Sequence, residues 1–386
     1  MSTIRSGTNP ITLLRSGLEQ FEMTTMIGSD QPASKSLPCR DLTSPDVTST
    51  SSYFTHVRRN SRRFCMALGA ILLTASSALH AQEISLLGGV ERSIGEHTYS
   101  WAASYEEGLG EYFSASFTWL NEGHVTGHHR DGQLIQGWAR LPLANRRLVL
   151  SAGIGPYRYF DTSTDQDDGS YSDLHGWGVV YSLRAQYYFA NRWIAQLQLN
   201  RVQVQHGPNT SAALIGIAYQ LDAPDVPGPR DWAPSRATRV TGNEVTAFLG
   251  QTVVNSNESQ TSLAAALEYR RGLAKYLDWT IGYLHEGNTD LVRRDGLTTQ
   301  LWATRAFFED RLTLGLGAGV YFAIRQRSNT DVTGDNDTDD RFAGIVSMSA
   351  SYRLGQHWTT RVTWNRIVTR YNRDADVILA GVGYRF

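Results

Sequence analysis

The chain has 386 residues, a formal charge of -1, 41% hydrophobic residues, 18 tyrosines, 10 tryptophans and 35 glycines. So balanced a charge leaves no electrostatic footprint for a nucleic-acid partner. No run of 18 apolar residues is present, which excludes a membrane-spanning helix but not a spanning strand.

Residues 1–57 are rich in Ser and Thr, lack periodicity, and read as a disordered or wrongly started extension. Residues 58–81 read as a secretory signal. Arg58, Arg59, Arg62 and Arg63 form its basic region, Met66 to Leu79 its short apolar core, and cleavage is expected after Ala78 or Ala81. The residues around Arg62 and Arg63 fit a twin-arginine signal poorly. Cys39 and Cys65 both lie upstream of cleavage. The exported chain is therefore expected to have no disulfide, thiol nucleophile or Cys-ligated metal, and no cofactor is indicated.

Beyond the signal the sequence repeats itself. LNEGHVTGHHRDGQLIQGWAR (Leu120–Arg140) returns as LHEGNTDLVRRDGLTTQLWAT (Leu284–Thr304). The same offset aligns Arg147, Gly153, Gly155 and Tyr157 with Arg311, Gly317, Gly319 and Tyr321. With a shift of one residue, Tyr187, Trp193, Asn200, Arg201 and Tyr219 align with Tyr352, Trp358, Asn365, Arg366 and Tyr384. The copies run over residues 82–221 and 243–386. Residues 222–242, with Pro224, Pro227, Pro229 and Pro234, read as a linker.

Each copy contains eight segments that alternate apolar and polar residues, many of them long enough for a tilted transmembrane strand. Phe113, Ala115, Phe117 and Trp119, for instance, alternate with Tyr112, Ser114, Ser116 and Thr118. Tight connections such as GLGE, LANR, FANR, GLAK, FED and LGQH alternate with longer ones such as DTSTDQDDGSYSD and RQRSNTDVTGDNDTDD. Short periplasmic turns, long outer loops and an aromatic last segment ending at Phe386 predict an all-β, outer-membrane antiparallel barrel. The last segment resembles the signal read by the outer-membrane assembly machinery, an expected partner along with outer-membrane lipid and lipopolysaccharide. Sixteen strands could close into two eight-stranded barrels or one sixteen-stranded pore. The proline-rich link and the terminal-strand pattern ending each copy favour two.

Strand parity then assigns faces. It turns Glu122, Gln136, Trp138, Arg147 and Asn200 inward, with Glu286, Gln300, Trp302, Arg311 and Asn365 as their duplicates. Charges in a narrow, dry barrel must be paired, so this set reads as a luminal network filling each barrel. The histidines invite a metal or catalytic reading, with Glu122, His124 and His128 as candidates. The second copy has Asn288, Val292 and Arg293 where the first has His124, His128 and His129, which favours a polar outer-loop feature. Asp131 and Asp295, each followed by Gly, read as turn residues. Asp335, Asp337 and Asp339 have the alternate spacing of a calcium loop, without its Gly and distal Glu. Arg201 and Arg366 carry outward parity near outer strand ends, a place to meet lipid phosphates.

Each copy, over nearly its whole length, resembles the lipid A 3-O-deacylase (PagL-like) barrels, through WTIGYLHEG, RLTLGLGAGVYF with its counterpart RLVLSAGIGPYRYF, and GQHWTTRVTW. The resemblance implies an eight-stranded membrane barrel that cleaves an ester-linked acyl chain from lipid A. It also implies a Ser nucleophile and His base in a His-x-Ser-Asn motif on the penultimate strand, with a supporting Glu. Here that strand reads Leu199-Asn200-Arg201-Val202 and Trp364-Asn365-Arg366-Ile367, without His or Ser. Two functional classes follow: a non-catalytic barrel with a structural or lipopolysaccharide-binding role, or a lipid-directed ester hydrolase with a relocated site. A passive pore is the third.

Overall fold

The computed structural model describes residues 82–93, 95–125, 127–164, 171–221, 226–229, 241–256, 259–328 and 340–386. The extension, the signal, most of the linker and the calcium candidates Asp335, Asp337 and Asp339 lie outside them.

The first copy forms β1 (Gln82–Ser93), β2 (Glu96–Gly108), β3 (Phe113–Val125), β4 (His128–Leu143), β5 (Leu148–Thr164), β6 (Tyr171–Tyr188), β7 (Trp193–Val204) and β8 (Thr210–Gln220). The second forms β9 (Asn243–Val254), β10 (Thr261–Ala274), β11 (Leu277–Asn288), β12 (Val292–Phe307), β13 (Leu312–Ser328), β14 (Phe342–Arg353), β15 (Trp358–Val368) and β16 (Ala375–Arg385). All neighbouring strands pair antiparallel. β8 returns to β1, with Gly216 opposite Leu87, and β16 returns to β9, with Gly381 opposite Phe248. The result is two closed eight-stranded barrels. The sixteen-stranded alternative fails because β8 and β9 do not pair. Closure leaves no edge strand, so every backbone ladder is satisfied without water.

The strands overrun the loops expected from sequence. β5 continues to Thr164 and β6 resumes at Tyr171, absorbing most of the acidic stretch between them. Likewise His124 lies on β3, while His128, His129 and Asp131 lie on β4, so neither the histidine cluster nor Asp131 is a loop or turn. Asp295 is equally inside β12.

Glycine lets the tryptophans of β4 and β12 lie flat across the lumen. A Cβ at Gly153 would come within 2.5 Å of the Trp138 ring, and one at Gly317 within 2.7 Å of the Trp302 ring. We expect Gly317→Val to displace Trp302 and cost about 1–3 kcal/mol. The midpoint of urea unfolding in detergent micelles checks this; an unchanged midpoint would mean that the ring has room to move.

Candidate functional site

Polar chemistry is concentrated inside the two barrels, and much of it is duplicated. At the outer end of the first, the Arg130 guanidinium donates to both oxygens of Glu122, Nε to Oε1 and Nη2 to Oε2, each at 2.7 Å. Thr210 donates to the same carboxylate. In the second barrel Arg294 donates to Glu286 at 2.9 and 2.7 Å, and its Nη1 to the Tyr371 hydroxyl at 2.9 Å. A β-bulge follows both glutamates. Gly123 and Gly287 adopt φ of 67° and 82°, and the β3/β4 and β11/β12 registers shift there. Glycine reaches that conformation without strain, and the bulge reverses the parity of the residues that follow each glutamate.

Midway down, Gln136 donates to Ser182 at 2.9 Å and Ser182 to Asn200 at 2.7 Å. The duplicate set has Ser347 2.8 Å from Gln300 and 2.7 Å from Asn365. Trp138 donates to Ser116 and Trp302 to Thr280, both at 2.9 Å. Glu122, Gln136, Trp138, Asn200, Glu286, Gln300, Trp302 and Asn365 are thus all buried in the lumen as parity predicts.

Arg147 and Arg311 are not. Each is exposed in a tight turn just before β5 or β13, because the strand ends before the inward register reaches it. The inner cations are different residues. In the first barrel Arg184 donates to Glu106 Oε1 at 2.9 Å and covers the Trp138 ring at 4.0 Å. In the second, Arg270 covers the Trp302 ring at 4.4 Å. Arg270 aligns with Glu106, so the two copies supply the stacked cation from different strands. A comparison that keeps only shared residues misses both. Glu83 and Glu244, shared inner glutamates of β1 and β9, were missed as well, although both stand at the same place in the repeat.

The catalytic candidates do not converge. Glu122 is taken up by Arg130 and Thr210. The bulge turns His124 outward, where it stacks on His129 at 4.0 Å. His128 alone keeps an acid partner, its Nδ1 lying 3.0 Å from Asp161 Oδ2. Among the described residues no group of three His, Cys, Asp or Glu side chains is arranged to hold a metal ion.

A second polar centre joins the barrels. Arg366, expected to face lipid, is buried. It donates to Asp131 of the first barrel at 3.1 and 2.8 Å, and to Asp376 of its own barrel at 2.6 and 2.7 Å. Trp119 and Trp364 pack beside it with ring centroids 4.1 Å apart, and Trp364 donates to Asp376 at 2.8 Å. Nearby, His175 Nε2 lies 2.7 Å from Asp374, and Arg373 donates to Tyr171 at 2.8 Å. At the barrels' other end Arg305 of β12 lies 3.7 Å from Glu107 of β2. Arg201, the duplicate of Arg366, stays exposed and donates to Ser211 at 2.9 Å.

Away from that contact the exterior is apolar. Leu86, Leu183, Ile215, Leu249, Leu263 and Val362 are all more than half exposed. Near the tight turns an aromatic ring of residues surrounds this belt. It includes Trp193 and Tyr219, edge to face at 5.0 Å, and their duplicates Trp358 and Tyr384 at 5.2 Å. Such a belt beside an aromatic girdle on a closed barrel matches a bilayer and not water. The chain is an outer-membrane β-barrel protein.

No family model matches the sequence, and no curated protein does. Solved structures share the barrel. The N-terminal β-barrel domain of Pseudomonas aeruginosa OprF is 13% identical, with 36% of this chain and 98% of that one covered, at a TM-score of 0.30. The translocator domain of the autotransporter NalP from Neisseria meningitidis is 12% identical, covering 87% and 98%, at 0.22. The Acinetobacter baumannii outer membrane protein Omp33 is 10% identical, covering 79% and 99%, at 0.17. None of these matches is specific to lipid A deacylases, and the membrane assignment rests on this chain's own exterior.

Proposed function

We propose that the chain is a non-catalytic envelope protein whose paired barrels hold lipopolysaccharide through arginines at their outer ends. The observation that carries this reading is how the charges are spent. Luminal arginines such as Arg130, Arg184 and Arg294 are bound to buried carboxylates, which fills the barrels and supports neither a pore nor a substrate cleft. By contrast Arg201 and Arg293 point outward near outer strand ends and are exposed, as is Arg370 between β15 and β16. Guanidinium groups at a membrane surface suit lipid phosphates. Delivery by the assembly machinery through β16, ending at Phe386, belongs to the same reading.

The test is lipopolysaccharide retained by the purified chain. Arg201→Gln, Arg293→Gln and Arg370→Gln together are expected to weaken binding about a hundredfold, the three lost phosphate contacts contributing about 1 kcal/mol each. Equal retention by wild type and triple variant would overturn the proposal.

A lipid ester hydrolase is the second reading, supported by one feature. His128, oriented by Asp161, stands directly across from Ser163 in the β4/β5 ladder, and the Ser163 hydroxyl meets that of Ser172 at 2.9 Å. An acid, a base and a hydroxyl in one place are the parts of acyl transfer. Mass spectrometry of lipid A from cells with and without the protein separates the readings: a hydroxyacyl chain lost only on expression favours the hydrolase.

A further inference from the structure

The mouth of the second barrel at its tight-turn end differs from that of the first. Four positions that hold Glu106, Tyr188, Gln196 and Gln220 in the first copy hold Arg270, Arg353, Arg361 and Arg385 in the second. Together with Arg311 these line an open recess, where five guanidinium groups face the carboxylates of Glu244, Asp278 and Asp310.

The carboxylates have partners of their own, although Asp278 Oδ1 finds none among the described residues. Glu244 accepts from Arg361, and Asp278 accepts from Thr241 at 3.0 Å. Arg361 also donates to Glu268 at 2.6 Å, while its Nε finds no acceptor among the described residues. Arg270 is left short. It is 3% exposed, its nearest carboxylates stand 3.5 and 3.6 Å away, and its Nε and Nη2 find no acceptor among the described residues. The Nε atoms of Arg353 and Arg385 find none either. Buried guanidinium donors without acceptors are costly, and several forks converging on one recess match the oxygens of a phosphate.

We propose that this recess is a binding site for a phosphate group, carried by a free periplasmic anion or by a phospholipid of the inner leaflet. The site does not depend on the outer arginines, so it stands or falls apart from the lipopolysaccharide reading.

The full chain, folded in detergent micelles, is titrated with inorganic phosphate by calorimetry. Native mass spectrometry then scores phosphatidylglycerol retained from mixed micelles. Saturable heat with inorganic phosphate identifies the free anion. Retained phosphatidylglycerol without that heat identifies the lipid. In either case Arg270→Gln is expected to weaken binding about tenfold or more, and Arg147→Gln at the first barrel's mouth to leave it unchanged. Because Arg270 is buried, Arg353→Gln, which is only half-buried, repeats the test in a variant whose fold is verified by heat-modifiable gel migration. Neither ligand binding to wild type, or equal binding by a folded Arg353→Gln variant, would overturn the proposal.

Discussion

Replacing Glu286 with Ala is expected to destabilise the second barrel by about 3–5 kcal/mol, the range for removing one partner of a buried ion pair. The reason is what the substitution leaves behind. Arg294 has no solvent-exposed side-chain surface, and both its Nε and Nη2 donate to Glu286. Without that carboxylate the guanidinium keeps only the Tyr371 hydroxyl, a neutral acceptor. With no exposed surface the guanidinium cannot turn to bulk water instead. Urea unfolding followed by tryptophan fluorescence in detergent micelles measures the loss. The double substitution Glu286→Leu with Arg294→Met is expected to recover most of it, because an apolar pair fills the space without a stranded charge. Glu122→Ala in the first barrel provides the comparison. There Asp161, itself buried, is an inner carboxylate two residues beyond Tyr159, whose ring lies 5.7 Å from the Arg130 guanidinium. The first barrel is therefore expected to lose less. Equal losses in both barrels, or a double variant as unstable as Glu286→Ala, would show that volume and not charge sets the cost.

These pairs also show where the sequence could be read and where it could not. Alternation with period two orients Gln136, Trp138, Gln300 and Trp302 correctly, because each sits well inside a strand and one face of that strand must bury polar groups. Arg147 and Arg311 have the same parity but fall in the turns, and parity says nothing about where a strand stops. The bulges at Gly123 and Gly287 were within reach: both copies retain a glycine after the glutamate, and a glycine inside a strand pattern marks such an irregularity. Glu106 and Arg270 were out of reach for a different reason. Comparing the copies finds what they share, whereas here each copy keeps a cation over its tryptophan by a different route. Arg366 failed on packing. Its outward parity is real, but whether an outward residue meets lipid or another barrel depends on how the barrels lie side by side, and no local periodicity encodes that.

Arg366→Ala is expected to free the barrels from each other while leaving each one closed. Each ladder closes through backbone pairing that Arg366 does not supply, since β15 stays paired to β14 and β16 along its length. The side chain instead holds two carboxylates, Asp131 from one barrel and Asp376 from the other, in a site where all three groups are largely shielded from water. Removing the cation turns an attractive triad into two like charges facing each other, and like charges brought together at low dielectric repel strongly. Trp119 and Trp364 then lose the cation beside them and gain access to lipid as the contact opens. Spin labels placed on outward residues of β7 and β14, away from the contact, report the distance between barrels by pulsed electron resonance. A narrow distribution in the wild type should broaden in Arg366→Ala, with heat-modifiable migration of the chain retained. Arg366→Lys should restore part of the order, since one ammonium reaches one carboxylate but cannot bridge two as a planar fork does. An unchanged distribution in Arg366→Ala would mean that the remaining contacts, among them His175 with Asp374, Arg373 with Tyr171 and Arg305 with Glu107, hold the barrels together by themselves.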